Sequence, residues 1–137
     1  MSSDNLQQRI MRVFEAYNRQ DAEAAAAEFV PAGTFYEIPR GEEFTKAEFR
    51  EYLDDIIFVL FPDYTVEESR TVLPYEWATV IEWRFSGTHE GTVGETDPTG
   101  DRISVPIVST VTGSAEGITT WRDFFDPQKL DQQLGRN

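Results

Sequence analysis

Cysteine is absent from this chain, histidine occurs once (His89), and lysine only twice (Lys46 and Lys129). Without cysteine there is no disulfide frame and no thiol chemistry. One histidine leaves a metal little but carboxylate ligands, and no Asp/Glu spacing here resembles a calcium loop, so no metal is expected. No apolar run approaches the roughly 18 residues of a membrane span. Met1-Ser2-Ser3-Asp4 lacks the basic-then-apolar pattern of a secretory signal. A cytoplasmic location is the expectation. Basic charge is also scarce: 25 Asp and Glu face 12 Lys and Arg, for a net charge of −13. Such a field repels phosphate backbones and anionic lipids, so neither nucleic acid nor a membrane is an expected partner. Acid-rich, lysine-poor surfaces resemble those of proteins from salt-loving microbes, where ions screen self-repulsion; an ordinary acidic protein is the alternative. Gly91 to Gly100 is not a phosphate loop, having no following Lys-Ser/Thr and no helix to open. No Ser-His-Asp set can be read from spacing.

What is present suffices for one domain, residues 1–137, with a single core: 39% of the residues are hydrophobic and 13% aromatic. Asp4, with Gln7 three residues on, reads as the capping box of a first helix. Leu6, Ile10, Val13, Phe14 and Tyr17 then recur at helical spacing. Asp21 caps a short helix, Ala22 to Phe29, that Pro31-Ala32-Gly33 ends. Thr34 to Ile38 reads as a short strand and Pro39 to Phe44 as a loop. Thr45-Lys46-Ala47-Glu48 is a second capping box, opening a helix with Phe49, Leu53, Ile56, Ile57 and Leu60 inward, closed by Pro62. From Tyr64 the period changes to two. Tyr64–Leu73, Trp77–His89, Arg102–Thr112 and Gly117–Phe125 read as antiparallel strands, and Pro127–Leu134 as a last helical turn. Helices followed by an antiparallel meander give an α+β class, a strongly curved cone-shaped sheet wrapped around the N-terminal helices, with one mouth.

Strand alternation selects the candidate site. Trp121, Asp123 and Phe125 share one face, which places a carboxylate between two large aromatics. A carboxylate in apolar surroundings has a partner or a raised pKa, and a raised pKa makes it a proton shuttle near neutrality. The bland alternative is a solvated Asp on an edge strand. Trp83 and Phe85 share a face, whose parity carries on to His89 and places it at the pocket mouth; an exposed His beside a flexible hairpin is the alternative. Ser109 breaks the aliphatic row of its strand and can orient a ligand carbonyl, or be satisfied by backbone. Tyr36 and Glu37 point to opposite faces, and Tyr36 inward is preferred, as a hydroxyl donor. Phe14 and Tyr17 join the pocket wall from the first helix; Tyr17 and Tyr64 rank below Tyr36 as donors. Arg84 and Arg122 fall on the outer face.

Several segments in order resemble the SnoaL-like polyketide cyclases, within the nuclear transport factor 2-like superfamily. They are Phe61-Pro62-Asp63-Tyr64, Gly87-Thr88-His89-Glu90-Gly91, Pro98-Thr99-Gly100, Trp121-Arg122-Asp123 and Gln132-Gln133-Leu134-Gly135. The resemblance implies a cone fold, no cofactor, and a general acid/base at Asp123, with His89 at the family's Gly-Thr-His position. Asp126 also falls at a family-like position, but adjoins Pro127 and reads as a helix cap. Limonene epoxide hydrolases look similar around Trp121-Arg122-Asp123, yet Glu82-Trp83-Arg84-Phe85-Ser86 lacks their second Asp. Ketosteroid isomerases have a Tyr where this chain has Val13, and an Asp near Glu37-Ile38-Pro39.

The expected function is cofactor-free acid/base catalysis, an aldol-type cyclisation or isomerisation, on a hydrophobic carbonyl substrate, with Asp123 and His89 as catalytic groups. A non-catalytic module that binds a hydrophobic ligand or mediates association is the alternative, and epoxide hydrolysis a further one. Arg122, Phe124 and Thr120 on the outer face suit a homodimer through the sheet.

Overall fold

The helical periodicity at the N-terminus and the period-two tail each fold as their patterns require. The computed structural model describes residues 5–95 and 97–134. Helix α1 spans Leu6–Asn18 and buries Leu6, Ile10, Val13, Phe14 and Tyr17, the predicted stripe. Its capping box lies one residue later than expected: the Asn5 side chain accepts from Gln8 N and the Gln8 side chain from Asn5 N. Asp4, the expected cap, lies outside the described residues, as does Gly135 of the last family-like segment. Helix α2, Ala22–Ala27, is capped by Asp21 and stops short of Phe29, where strand β1 begins.

β1 runs Phe29–Glu37, straight through the Pro31-Ala32-Gly33 stretch that reads as a breaker. The breaker acts as a bulge instead, since register with the neighbouring strand slips between Phe29 and Thr34. A Cβ on Gly33 would sit 2.9 Å from the Ile118 carbonyl oxygen, so only glycine allows this close approach. A 3₁₀ turn, Ile38–Arg40, and Gly41 at φ +66° then reverse the chain into β2, Glu42–Thr45, where a loop was expected.

The expected Thr45/Glu48 capping box opens α3, Lys46–Tyr52. The helix does not continue as a uniform α-helix: Leu53–Ile57 widen into a π turn before a final turn, α4, Phe58–Leu60. Strands β3 (Thr65–Pro74), β4 (Ala78–Thr88), β5 (Arg102–Ser114) and β6 (Gly117–Phe124) form the predicted meander. Asp126 caps α5, Pro127–Gln133, by accepting from Gln128 N and Lys129 N.

The strands make one curved, unclosed sheet in the order β2-β1-β6-β5-β4-β3. β1 pairs parallel to β6; the other pairs are antiparallel. Phe35, Ile81, Trp83, Val105, Ile107, Val111 and Trp121 are buried on the concave face with the α1 stripe. Among the described residues no helix is long and apolar enough to cross a membrane.

Phe49 joins helix to sheet: it is fully buried, stacked on Phe35 at 4.4 Å and tilted against Phe29 at 5.1 Å. Phe49→Ala is expected to cost about 3–5 kcal/mol of stability, read as a lower urea midpoint.

Candidate active site

Alternation along β6 turns Trp121 and Asp123 to the concave face and leaves Arg122 and Phe124 on the convex one. Register then sets the neighbours of Asp123. Ser109 of β5 lies opposite it, and Glu37 of β1 is its partner on the other side. A polar row, Glu37–Asp123–Ser109, thus crosses three strands within an otherwise apolar surface.

Hydrogen bonds converge on one oxygen of that row. Ser109 Oγ donates to Asp123 Oδ1 at 2.5 Å, and Trp121 Nε1–H donates to the same oxygen at 2.7 Å. Trp83 Nε1–H donates to Ser109 Oγ at 2.8 Å, which turns the serine proton toward the aspartate. No hydrogen bond reaches Asp123 Oδ2 from any described residue, which leaves that oxygen for a ligand. Burial raises the Asp123 pKa from 3.8 to about 7; the Ser109 and Trp121 bonds oppose the rise, and the Glu37 charge adds to it.

Asp123 lines a cavity of about 290 Å³ between the sheet, the π turn and α5. Tyr17, Trp83, Phe85, Phe61 and Tyr64 wall its inner end. Leu53, Ile56 and Ile57 from the π turn and Leu60 of α4 form the roof, with Leu130 and Leu134 on the α5 side. Glu37, Arg40, Glu42 and Tyr52 add polar groups. Burial pushes the Tyr17 and Tyr64 hydroxyls well above the ordinary tyrosine range, and the nearby Asp123 charge adds to this. Both phenols therefore stay protonated, and neither hydroxyl hydrogen-bonds to a described residue. Glu37 is also pushed up by burial, against the 2.6 Å hydrogen bond donated by Tyr52.

The residues anticipated for the site separate into three groups. Asp123, Trp83, Phe85, Phe125 and Tyr17 line the cavity. Trp121, Ser109 and Phe14 stand behind it: Trp121 and Ser109 are fully buried and bond to Asp123, while Phe14 packs on Trp83 at 4.9 Å and on Trp121 at 5.7 Å. Ser109 Oγ is thus bonded by the Trp83 and Asp123 side chains rather than by backbone. Tyr36 and His89 lie elsewhere.

Tyr36 faces outward, its hydroxyl donating to Glu43 at 3.3 Å and its ring under Arg122. The inward preference is corrected because β1 pairs in register with Asp123 through Glu37, which fixes Glu37 as the inward residue. His89 is fully buried but lies outside the cavity lining. Alternation carries inward parity to His89 only along a strand that reaches it, whereas β4 ends at Thr88. Its Nδ1 accepts from Thr99 N at 3.2 Å, and Phe61 lines the cavity in its place.

The family-like segments meet at this end of the sheet. Asp63 accepts from Thr88 N at 2.6 Å and from Thr88 Oγ1 at 2.8 Å, so the 61–64 and 87–91 segments clamp each other. A Cβ on Gly87 would stand 2.9 Å from Phe61 Cβ.

An open curved sheet with helices against its concave side is the nuclear transport factor 2-like, ketosteroid isomerase-like architecture. The SnoaL-like polyketide cyclase family model matches residues 8–134, and the chain belongs to that family. A search of curated protein sequences finds no match. Among solved structures, AclR of Streptomyces galilaeus, provisionally described as a hydroxylase, is 20% identical, with 96% of this chain and 85% of that one covered, at a TM-score of 0.81. A protein of Xanthomonas campestris pv. campestris, provisionally described as a polyketide cyclase, is 17% identical (94% and 96% covered, TM-score 0.82). A hypothetical protein from Catenulispora acidiphila with a ketosteroid isomerase-like fold, solved with trimethylamine, is 15% identical (95% and 94% covered, TM-score 0.78).

The Asp123 environment has a stability consequence. A pKa raised on folding from 3.8 to about 7 means the folded state holds this proton more tightly than the unfolded chain. The associated stability is fully present below about pH 4 and lost as pH rises through about 7. Relative to Asp123→Asn, the wild type is expected to lose about 4 kcal/mol between pH 4 and pH 8, from urea unfolding across that range.

Proposed function

We propose that this protein is a cofactor-free acid–base enzyme for an apolar carbonyl compound. Asp123 Oδ2 takes a proton from the carbon next to the carbonyl. The Tyr17 and Tyr64 hydroxyls hold the oxygen on which negative charge develops. The resulting carbanion equivalent either closes a ring by an aldol-type attack or is reprotonated at another carbon. The observation that carries this reading is Asp123: buried, with one oxygen held by two donors, the other open to the cavity, and a pKa near neutrality.

The arrangement suits the chemistry in physical terms. A base is most effective with a pKa near the working pH, and burial supplies that shift here. Neutral hydroxyl donors in a cavity walled largely by apolar side chains stabilise an enolate without themselves losing a proton. Trp121 and Ser109 orient the carboxylate, so it enters the reaction in one pose. Cavity size and aromatic walls favour a flat, apolar substrate of modest bulk. Epoxide hydrolysis is less well supported, because Arg84 bonds Ser104 on the outer face rather than approaching Asp123.

The same reading includes a homodimer through the convex face, where Val108 and Phe124 are cross-strand partners and each about 40% exposed. Phe124→Glu is expected to halve the mass measured by sedimentation equilibrium; a monomeric wild type removes the dimer.

Carbon-13 NMR of Asp123 is expected to titrate near pH 7, and a midpoint near 4 would favour a ligand-holding module without catalysis. Deuterium exchange at the α-carbon of 4-phenylbutan-2-one is expected to be accelerated by the wild type. Asp123→Asn should lower it at least a hundredfold with the fold intact, and Tyr17→Phe roughly tenfold. Unchanged exchange in Asp123→Asn would reject the proposal.

A further inference from the structure

A second carboxyl shares the cavity wall with Asp123. Glu37 occupies the last position of β1 and is the register partner of Asp123 in the parallel β1–β6 pair. It is 8% exposed and lines the same cavity. Neighbouring strands lie about 4.8 Å apart, so the two carboxyls stand side by side on one wall rather than across the hollow from each other.

Each has one oxygen engaged and one open. Asp123 Oδ1 accepts from Ser109 and Trp121, and Glu37 Oε2 accepts from the Tyr52 hydroxyl at 2.6 Å. Neither Asp123 Oδ2 nor Glu37 Oε1 bonds to a described residue. Tyr52 is itself stacked on Phe44 at 4.6 Å, so Glu37 is held from the helical side much as Asp123 is held from the sheet. Burial favours the protonated form of Glu37, and the Tyr17 and Tyr64 hydroxyls face the same hollow, unpaired among the described residues. A pair of this kind can take a proton from one carbon and hand another to a group on the next.

We propose that Glu37 is a second proton-transfer group, the general acid that protonates a departing β-hydroxyl while Asp123 removes the adjacent α-proton, so that the site expels water from a β-hydroxy carbonyl compound. This rests on the reading of Asp123 as the base. The substrate class is the one an aldol closure produces. The C–H bond breaks and its electron pair, held as an enolate by the tyrosine hydroxyls, becomes the new C=C bond. The C–O bond breaks with its pair on oxygen, and the Glu37 proton completes a water molecule. Asp123 then releases its proton to bulk solvent and Glu37 regains one from it, without any oxidant or reductant. Because both open oxygens sit on one wall, the hydrogen and the hydroxyl leave from the same face of the substrate. The elimination is syn.

The probe is 4-hydroxy-4-phenylbutan-2-one, with formation of 4-phenylbut-3-en-2-one followed by ultraviolet absorbance, alongside deuterium exchange into 4-phenylbutan-2-one. Wild type is expected to form the enone, and diastereomers labelled with deuterium at C3 to lose the syn label. Glu37→Gln should lower enone formation about a hundredfold and exchange far less, so the ratio of the two rates falls at least tenfold. Should that variant fail to fold by circular dichroism, Tyr52→Phe, which loosens Glu37, should lower the same ratio at least threefold. Exchange by the wild type without enone, cleavage to benzaldehyde and acetone in place of enone, loss of the anti label, or an unchanged rate ratio would overturn the inference and leave Asp123 as base. Absence of exchange in the wild type would instead remove the proposed function on which the inference stands.

Discussion

Everything at the site depends on how one buried carboxylate is held. Asp123 gives up its hydration and receives two donors in exchange, both on the same oxygen. Those bonds favour the ionised form, while the apolar surroundings favour the neutral one, as does Glu37 whenever it is charged; desolvation is the larger influence. The result is a group poised near neutrality, with the two influences acting in opposite directions. Trp83 sits one step further back, bonding Ser109 and lining the cavity at once, so the residue that shapes the hollow also fixes the direction of the serine proton. Packing and electrostatics here are the same set of contacts.

The geometry of that row follows from topology. β6 lies between β5 and β1, antiparallel to one and parallel to the other. Asp123 is therefore flanked by Glu37 from the first strand and Ser109 from the fifth. The bulge at Pro31–Gly33 sets which β1 residues meet β6 with concave parity. A one-residue change in that slip would turn Tyr36 inward and Glu37 out.

Much of this was legible in the residues. Helical spacing identified the α1 stripe, and period-two patterning located β3 to β6 to within a few residues. Alternation put Trp121, Asp123 and Phe125 on one face, and Ser109 stood out as a polar break in an aliphatic row. What could not be read was non-local or irregular. The Tyr36/Glu37 choice depended on a bulge whose slip only the parallel pairing reveals. His89 required knowing that β4 stops at Thr88. The engagement of both Trp83 and Trp121 indoles with one polar cluster had no signal beyond the presence of two tryptophans on inward positions. The family-like 61–64 and 87–91 segments, which carried much of the resemblance, are joined by a structural clamp, and the first of them also gives Phe61 and Tyr64 to the cavity that Asp123 lines.

The π turn at Leu53–Ile57 has a further consequence. A wider turn accommodates an additional residue within a helix, and insertion or removal of one residue there rotates whatever follows by roughly a quarter to a third of a circle. The ceiling of the chamber can thus be re-tailored by a single-codon event while the carboxyl wall, built on distant strands, stays as it is. The shape of the roof and the placement of the carboxyl row thus reside on separate pieces of chain.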